Sequence, residues 1–495
     1  MNRYISRLAG VALIMTLMAS CKKDFLEQVP FGMGTAQTTS DYSLLMNNNR
    51  FYYYEYGGPG GWQEPMLMGD EIAAYSPIFT GSGTTQMLRL FQWRDSIYTV
   101  KDNEPDALRN WLNDIYTLNK IINEVQASSG GTSQQKDQIR GEALATRAWT
   151  NFQLVNYYAK PYDPATASKD PGFPIITTAS ITTTTFSRGT VQEMYDLMIK
   201  DLLTAIPGLP VKPSIQTHFS KPSAEGILGK IYLFMGNDSG ALRLFNAAFN
   251  HLAQSNFAIL YDYNQTLADD GSFQPIDPDL GPNGPGNNYM DITEALISKL
   301  FYSGPYQYAG YIGNDGLVLA PWAQALYLPS DLRLKFYSEF PMYEYDTPFP
   351  NGLVRKSGVQ YSRWGLQLPE LYLLRAEANA RLNNLPAAVT DVETLRQNRM
   401  PVADAVVPAD TAMNRTALIK FIIDERVREF AGEGMRWFDM RRLSVDPLFK
   451  NTPYTHLMFE EDGSSSTYTL RQPDRLTMQI PPYIMNRNQN MPNNP

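Results

Sequence analysis

The side chains able to do chemistry are few in this chain, and their spacing serves no familiar reaction. Its three histidines, His218, His251 and His456, stand in unrelated surroundings, which leaves neither an H-E-x-x-H zinc helix nor a histidine cluster. There is no G-x-S-x-G nucleophile elbow and no G-x-x-x-x-G-K-[ST] phosphate loop. The stretch DPDLGPNGPGNN from Asp277 has the composition of a calcium loop. Gly281 falls one place early for that role, however, and Asn288 stands where a bidentate glutamate belongs. Carboxylates such as Glu294 and Asp291 would serve glycoside hydrolysis only if folding set a pair of them at the right separation, which sequence spacing does not reveal.

One segment is dense in charge. In IIDERVREFAGEGMRWFDMRRLSVDP, the residues Glu425, Arg426, Arg428, Glu429, Glu433, Arg436, Asp439, Arg441 and Arg442 interleave with Phe430, Trp437 and Phe438. On a helix many of these sit three or four places from an opposite charge, so the segment reads first as a set of internal ion pairs.

The only cysteine, Cys21, follows Arg3, Arg7, the apolar run Leu8–Met18 and the small residues Ala19 and Ser20. This is the layout of a secretory signal peptide. A lone cysteine after small residues resembles the lipobox of bacterial lipoproteins, in which the thiol is acylated. The apolar run is shorter than the roughly 20 residues of a spanning helix. The expectation is a chain anchored by two or three acyl chains on Cys21. With no second thiol, a disulfide framework and a cysteine-based zinc site are excluded.

The net charge of −8, from 42 basic and 50 acidic residues without long runs, argues against a nucleic-acid partner, which requires a basic face. With 43% hydrophobic and 12% aromatic residues, the chain can bury a large core.

Helical periodicity organises much of it. Leu108, Trp111, Leu112, Ile115, Leu118, Ile122 and Val125 fall on one face. A second helix is predicted through Ile139, Ala148 and Val155 up to Pro161, and a third opens on a Thr190–Glu193 capping box. Two distant stretches, Leu228 to Phe249 and Arg375 to Arg396, share one plan: helix, turn at Gly236-Asn237 or Asn383-Asn384, helix. Both are predicted to be hairpins of the tetratricopeptide kind, with Gly229 and Ala376 letting the helices approach and the units stacking on one another. Regions 51–100 and 261–327, by contrast, mix aromatics with Gly, Pro, Asn and Asp and read as long irregular loops.

The charged segment also carries a resemblance. Glu425, Arg426, Glu429, Phe430, Glu433, Gly434, Arg436, Trp437, Asp439, Met440 and Arg442 match the C-terminal pattern of the SusD/RagB family of surface lipoproteins. CKKDFLE, WLNDIYTLNKIINEV, RGEALATRAWTNFQLVNYYAKPY, LPELYLLRAEANARLNN and the terminal IPPYIMNRNQNMPNNP agree in order.

The resemblance implies a mainly α fold: a scaffold of tetratricopeptide-like helical hairpins with long irregular loops, forming a single globular unit. It implies a signal peptide over 1–20, a lipidated tether over 21–40 and a SusD-like domain over 41–495, with helix pairs within 104–255 and 364–432. It further implies a non-enzymatic, outer-membrane lipoprotein facing the cell exterior. Such a protein binds nutrient glycans, or alternatively peptides, and delivers them to a SusC-like TonB-dependent transporter, without a cofactor beyond the lipid. Family ligand sites lie in the loop regions. The expected contacts are therefore Trp62, Asp70, Tyr75 and Trp93 from the first region and Tyr302, Tyr306, Tyr308, Asn314, Asp315 and Trp322 from the second. Aromatic rings suit the flat C–H faces of sugars, and the polar groups suit their hydroxyls. A lipid-anchored glycosidase and a purely structural helical scaffold are the rival readings.

Overall fold

Five helices follow one another between Asp106 and Ala253: α1 (Asp106–Glu124), α2 (Ser133–Tyr158), α3 (Val191–Ala205), α4 (Lys221–Phe234) and α5 (Asp238–Ala253). They belong to a computed structural model that describes residues 36–54, 64–82, 85–98, 106–183, 185–302, 316–341, 347–357 and 361–495. The predicted face of α1 is buried from Leu108 to Val125, with Leu112 at its margin. It packs on α2, whose residues from Ala143 to Tyr158 are buried on every side, as befits a central helix. Arg147 of α2 binds both oxygens of Asp201 on α3, at 2.8 and 2.7 Å, and donates to Asn119 of α1, so one guanidinium joins three helices.

Local signals set the helix ends. Thr190 accepts from the backbone N–H of Glu193 while Glu193 accepts from that of Thr190, closing the predicted capping box on α3. Gly236, at φ +74°, ends α4, and Asn237 caps α5. Gly229 packs against Phe245 so closely that a Cβ there would lie 2.6 Å from the ring. The second hairpin, α6 (Leu368–Arg381) and α7 (Leu385–Gln397), turns at Asn383 with φ +64°. α5 packs on α6, and α6 packs on α8 (Arg415–Phe430), so the two distant hairpins are neighbours in one stack. α9 (Met435–Leu443) follows α8.

The regions predicted as irregular also contain short strands: β1 (Tyr53–Tyr54), β2 (Ile72–Tyr75), β3 (Ala295–Ile297), β4 (Leu300–Tyr302), β5 (Leu317–Leu319), β6 (Tyr337–Ser338), β7 (Arg355–Lys356), β8 (Tyr361–Arg363), β9 (Leu366–Gln367), β10 (Thr455–Phe459) and β11 (Ser465–Thr469). Two sheets bring the two loop regions together. In the order β1-β4-β8, β1 runs parallel to β4 with Tyr53 opposite Leu300, and β8 runs antiparallel to β4. In the order β11-β10-β2-β5, Ile72 pairs with Leu319 and Met458 with Ala74. Strands this short carry no readable period, which is why composition alone read as loop.

The charged segment forms α8, α9 and their connection, and most of its charges are paired in or at the edge of the core; Arg441 instead donates to the Val155 and Ala159 backbone oxygens. Glu425 accepts from Arg333, Arg396 and Arg428 at 2.7–2.8 Å. Glu429 accepts from Arg333 and Arg399. Asp439 accepts from Arg426 and Arg442, and Arg442 also grips Glu377 of α6 with two bonds. Among the described residues, no helix is long and apolar enough to cross a membrane.

Candidate functional site

One face of the β1-β4-β8 sheet is packed and the other bears tyrosines. Alternation along each strand divides them. On the inner face Tyr54 stacks on Phe301 at 4.5 Å, and Phe301 meets Trp364 at 4.8 Å. On the outer face Tyr53, Tyr289 and Tyr361 form a triangle with ring centroids 5.6, 5.9 and 6.2 Å apart. Tyr289 is 49% exposed and Tyr53 and Tyr361 are half-buried. Register places the end of β1, the end of β4 and the start of β8 at one edge of this sheet. Tyr54, Tyr302 and Tyr361, the described residues next in sequence to 55–63, 303–315 and 358–360, are at that edge.

Two residues beyond Tyr361, Arg363 reaches a small cavity of about 40 Å³ that Tyr361 also lines, together with Phe336, Tyr337, Lys356 and Glu433. Its guanidinium stands 3.6 Å from Glu433 and 3.8 Å from Glu294, and its Nε makes no hydrogen bond. Lys356 donates to Glu433 at 2.9 Å. Burial pushes the Glu433 carboxyl up, but the Lys356 and Arg363 cations outweigh it and hold the group below its ordinary range. The arrangement therefore offers apolar rings at the rim and fixed charge at the floor.

A second patch abuts the first through the α8–α9 connection. Trp322, 37% exposed, donates from Nε1 to the backbone oxygen of Asp70 at 2.9 Å. The guanidinium of Arg436 lies 5.4 Å from the Trp322 ring and binds the Asp70 carboxylate at 2.7 Å. Between the patches, Gly432 N–H donates to Glu71, Ala431 O accepts from Lys356, and Glu433 O accepts from the Trp364 indole. Burial, then the neighbouring Asp70, push the Glu71 carboxyl up to about 7. Gly434 sits at φ +83°, where a Cβ would press on Trp364 and Met66, so the glycine of the charged motif answers to both backbone and space.

The expected contacts separate into three groups. Asp70, Tyr75 and Trp322 lie in or beside the β2–β5 pair, but Asp70 is buried against Arg436 and Tyr75 meets Phe349 edge-on at 5.4 Å. Trp93 is only 6% exposed, stacks on His456 at 3.8 Å and donates to Met68 O, so its ring is engaged in the core. Trp62, Tyr306, Tyr308, Asn314 and Asp315 lie outside the described residues, as do Cys21 and the predicted leader. Tyr302 pairs with Tyr361 in the strand register, and its side chain is outside the described part.

Sequence reasoning missed Tyr53, Tyr289, Tyr361 and Arg363. The alternation Tyr-Ser-Arg in β8 was the available signal, with 361 and 363 facing outward and 362 inward. The carboxylates considered for hydrolysis are engaged elsewhere: Glu294 is buried against Arg399, and Asp291 accepts from the Tyr261 hydroxyl. Asp277 caps the backbone N–H groups of Asp279 and Leu280. No cluster of metal-ligating side chains occurs among the described residues.

A SusD-like family model described as starch-binding and associating with the outer membrane matches residues 70–233, and the SusD family model matches residues 349–495. Together they cover more than half of the chain. A SusD-like protein of Formosa agariphila is 22% identical over 499 residues, spanning 90% of this chain and 91% of that protein. Among solved structures, a putative sugar binding protein from Bacteroides vulgatus superposes with a TM-score of 0.70 at 19% identity, covering 93% of this chain and 99% of that one. A SusD superfamily protein from Bacteroides thetaiotaomicron gives 0.68 at 19% identity, covering 92% and 100%. The stack of helix hairpins is the fold of these structures, and the Glu425–Arg442 motif that locks it lies inside the second matched region; the chain belongs to the SusD family.

Proposed function

We propose that the protein is a lipid-anchored binding protein for nutrient glycans, which it passes to a SusC-like TonB-dependent transporter without chemical change. The observation that carries this reading is the outward triangle of Tyr53, Tyr289 and Tyr361 beside Arg363, at the sheet edge where both aromatic loop regions meet. Sugar rings lie flat on such aromatics, and a guanidinium satisfies hydroxyls or an acidic substituent. The adjoining segments 55–63 and 303–315 supply Trp62, Tyr306, Tyr308, Asn314 and Asp315 as further contacts. The family description as starch-binding supports a carbohydrate over a peptide. A lipid on Cys21 is the proposed attachment to the outer membrane, with the domain facing outward.

The test is an array of plant, host and microbial glycans, with peptide mixtures included, probed with residues 22–495. Saturable glycan binding that weakens in Tyr289→Ala, with no product over hours, is the expected result. Binding confined to peptides overturns the glycan reading, and released product overturns the non-enzymatic one.

A further inference from the structure

On the helical scaffold a second cavity, of about 170 Å³, opens where the helix Thr39–Met46 ends against the start of α2 and the segment 210–219. None of its lining residues belongs to the tyrosine face. Glu142 and His218 form its charged centre, with His218 Nδ1 2.5 Å from Glu142 Oε1. That hydrogen bond holds the imidazole above its ordinary value. The other imidazole nitrogen, Nε2, makes no hydrogen bond within the protein. Asn47, Gln138 and Ser214, all exposed, add amide and hydroxyl groups that both donate and accept. Ile139 and Pro210, both half-buried, supply an apolar margin, while the Phe219 ring is fully buried.

These features define a ligand by chemistry. The volume is near that of an engineered cavity of roughly 150 Å³ that admits one six-membered ring. The lining holds no Lys or Arg and its one carboxylate is already hydrogen-bonded to His218, so a formally charged guest finds no free partner there. The amide and hydroxyl groups call for a guest with several hydroxyls, and the Ile139 and Pro210 margin for one with an apolar face. We propose that this cavity is a second binding site, for one neutral polyhydroxylated ring: a free monosaccharide or the terminal unit of a longer chain. Glu142 would accept from two hydroxyls of it, while His218 Nε2 would donate to a third oxygen. The site is separate from the tyrosine face, so its failure would leave the reading of that face standing.

The chain has three histidines, so selective imidazole labelling gives a local NMR readout. His218 reports the cavity, and His456, fully buried between the Phe91 and Gly69 carbonyls, reports intact folding. D-Glucose, D-galactose, D-mannose and N-acetyl-D-glucosamine would each be titrated into residues 22–495 to about 50 mM, beyond the millimolar range a few hydrogen bonds support. The expected result is saturable movement of the His218 signals by at least one sugar, with His456 unmoved. Glu142→Gln should weaken that effect by about tenfold or more, since it removes a charged acceptor. Ser214→Trp, at an exposed position, should block it while the His456 signals stay native. No movement of His218 with any of the four sugars, or an unchanged titration in Ser214→Trp, overturns the proposal.

Discussion

Arg436 binds Asp70 at 2.7 Å across 366 residues of sequence, and the same Asp70 offers its backbone oxygen to the Trp322 indole. The contact ties the C-terminal charged motif to the strand that pairs the two loop regions. Arg436→Ala would leave the Asp70 carboxylate buried without its cation, which costs about 3–5 kcal/mol when one partner alone is removed. Urea unfolding of the variant should show that loss. The double variant Asp70→Asn, Arg436→Met should lose clearly less, because no charge is then stranded.

The buried motif predicts an acid-labile fold. Burial pushes Glu425 up, but Arg333, Arg428 and Arg396 win and hold it at about 2; Glu377 is likewise held at about 2 by Arg442 and Arg381. Both carboxyls titrate near 4.5 when unfolded. The unfolded chain therefore binds more protons between those values, and stability falls as pH drops through that window. Each group contributes at most about 3 kcal/mol above it, from the size of its shift. Tm measured from pH 6 to pH 2 should fall steeply below about 4.5, and Glu425→Gln should be less stable at pH 7 with a shallower acid limb.

Glu71 behaves in the opposite sense. Its carboxyl is raised to about 7 by burial and by Asp70, so the folded state holds the proton that the unfolded chain releases near 4.5. Stability from this group is present below 4.5 and is lost as pH rises toward 7. Glu71→Gln keeps an acceptor for the Gly432 N–H and removes the charge. It should leave Tm unchanged at pH 4 and raise stability at pH 8 by up to about 3 kcal/mol. A variant destabilised at both pH values would show that the carboxylate, once formed, is stabilised by its surroundings.

What the sequence disclosed tracks the range of the interactions. The Thr190 cap, the Gly236 and Asn383 turns and the close approach at Gly229 are set by residues a few places apart, or by a Cβ the chain lacks, and all are legible. The charge density of Glu425–Arg442 was equally plain, but most of its partners are not local: Arg333, Arg396, Arg399, Glu377 and Asp70 are among those that arrive from elsewhere in the chain. Trp93 shows the limit for rings. Loop composition suggested a surface aromatic, but His456 arrives from β10 to stack on it. The tyrosine face was hidden for the same reason, since Tyr53 and Tyr361 meet through the β1–β4–β8 pairing and Tyr289 joins them from the connection before β3.

That pairing makes the last prediction specific. Tyr289 is the most exposed of the three rings and Arg363 the group on the cavity floor whose Nε makes no hydrogen bond. Truncating Tyr289 to Ala removes a stacking surface worth about 1–1.5 kcal/mol, or roughly tenfold in Kd. Because the ring is half in solvent, the fold should be unaffected. Arg363→Lys keeps a cation near Glu433 and Glu294 but removes the planar fork. If the ligand meets both rim and floor, Arg363→Lys should weaken glycan binding by a similar factor, and the double variant should lose less than the sum of the two, since one ligand spans both contacts. Calorimetry of wild type, the two single variants and the double variant against the best glycan from the array closes the cycle. An unchanged Kd in Arg363→Lys would place Arg363 outside the ligand's reach and leave the tyrosine triangle as the binding surface on its own.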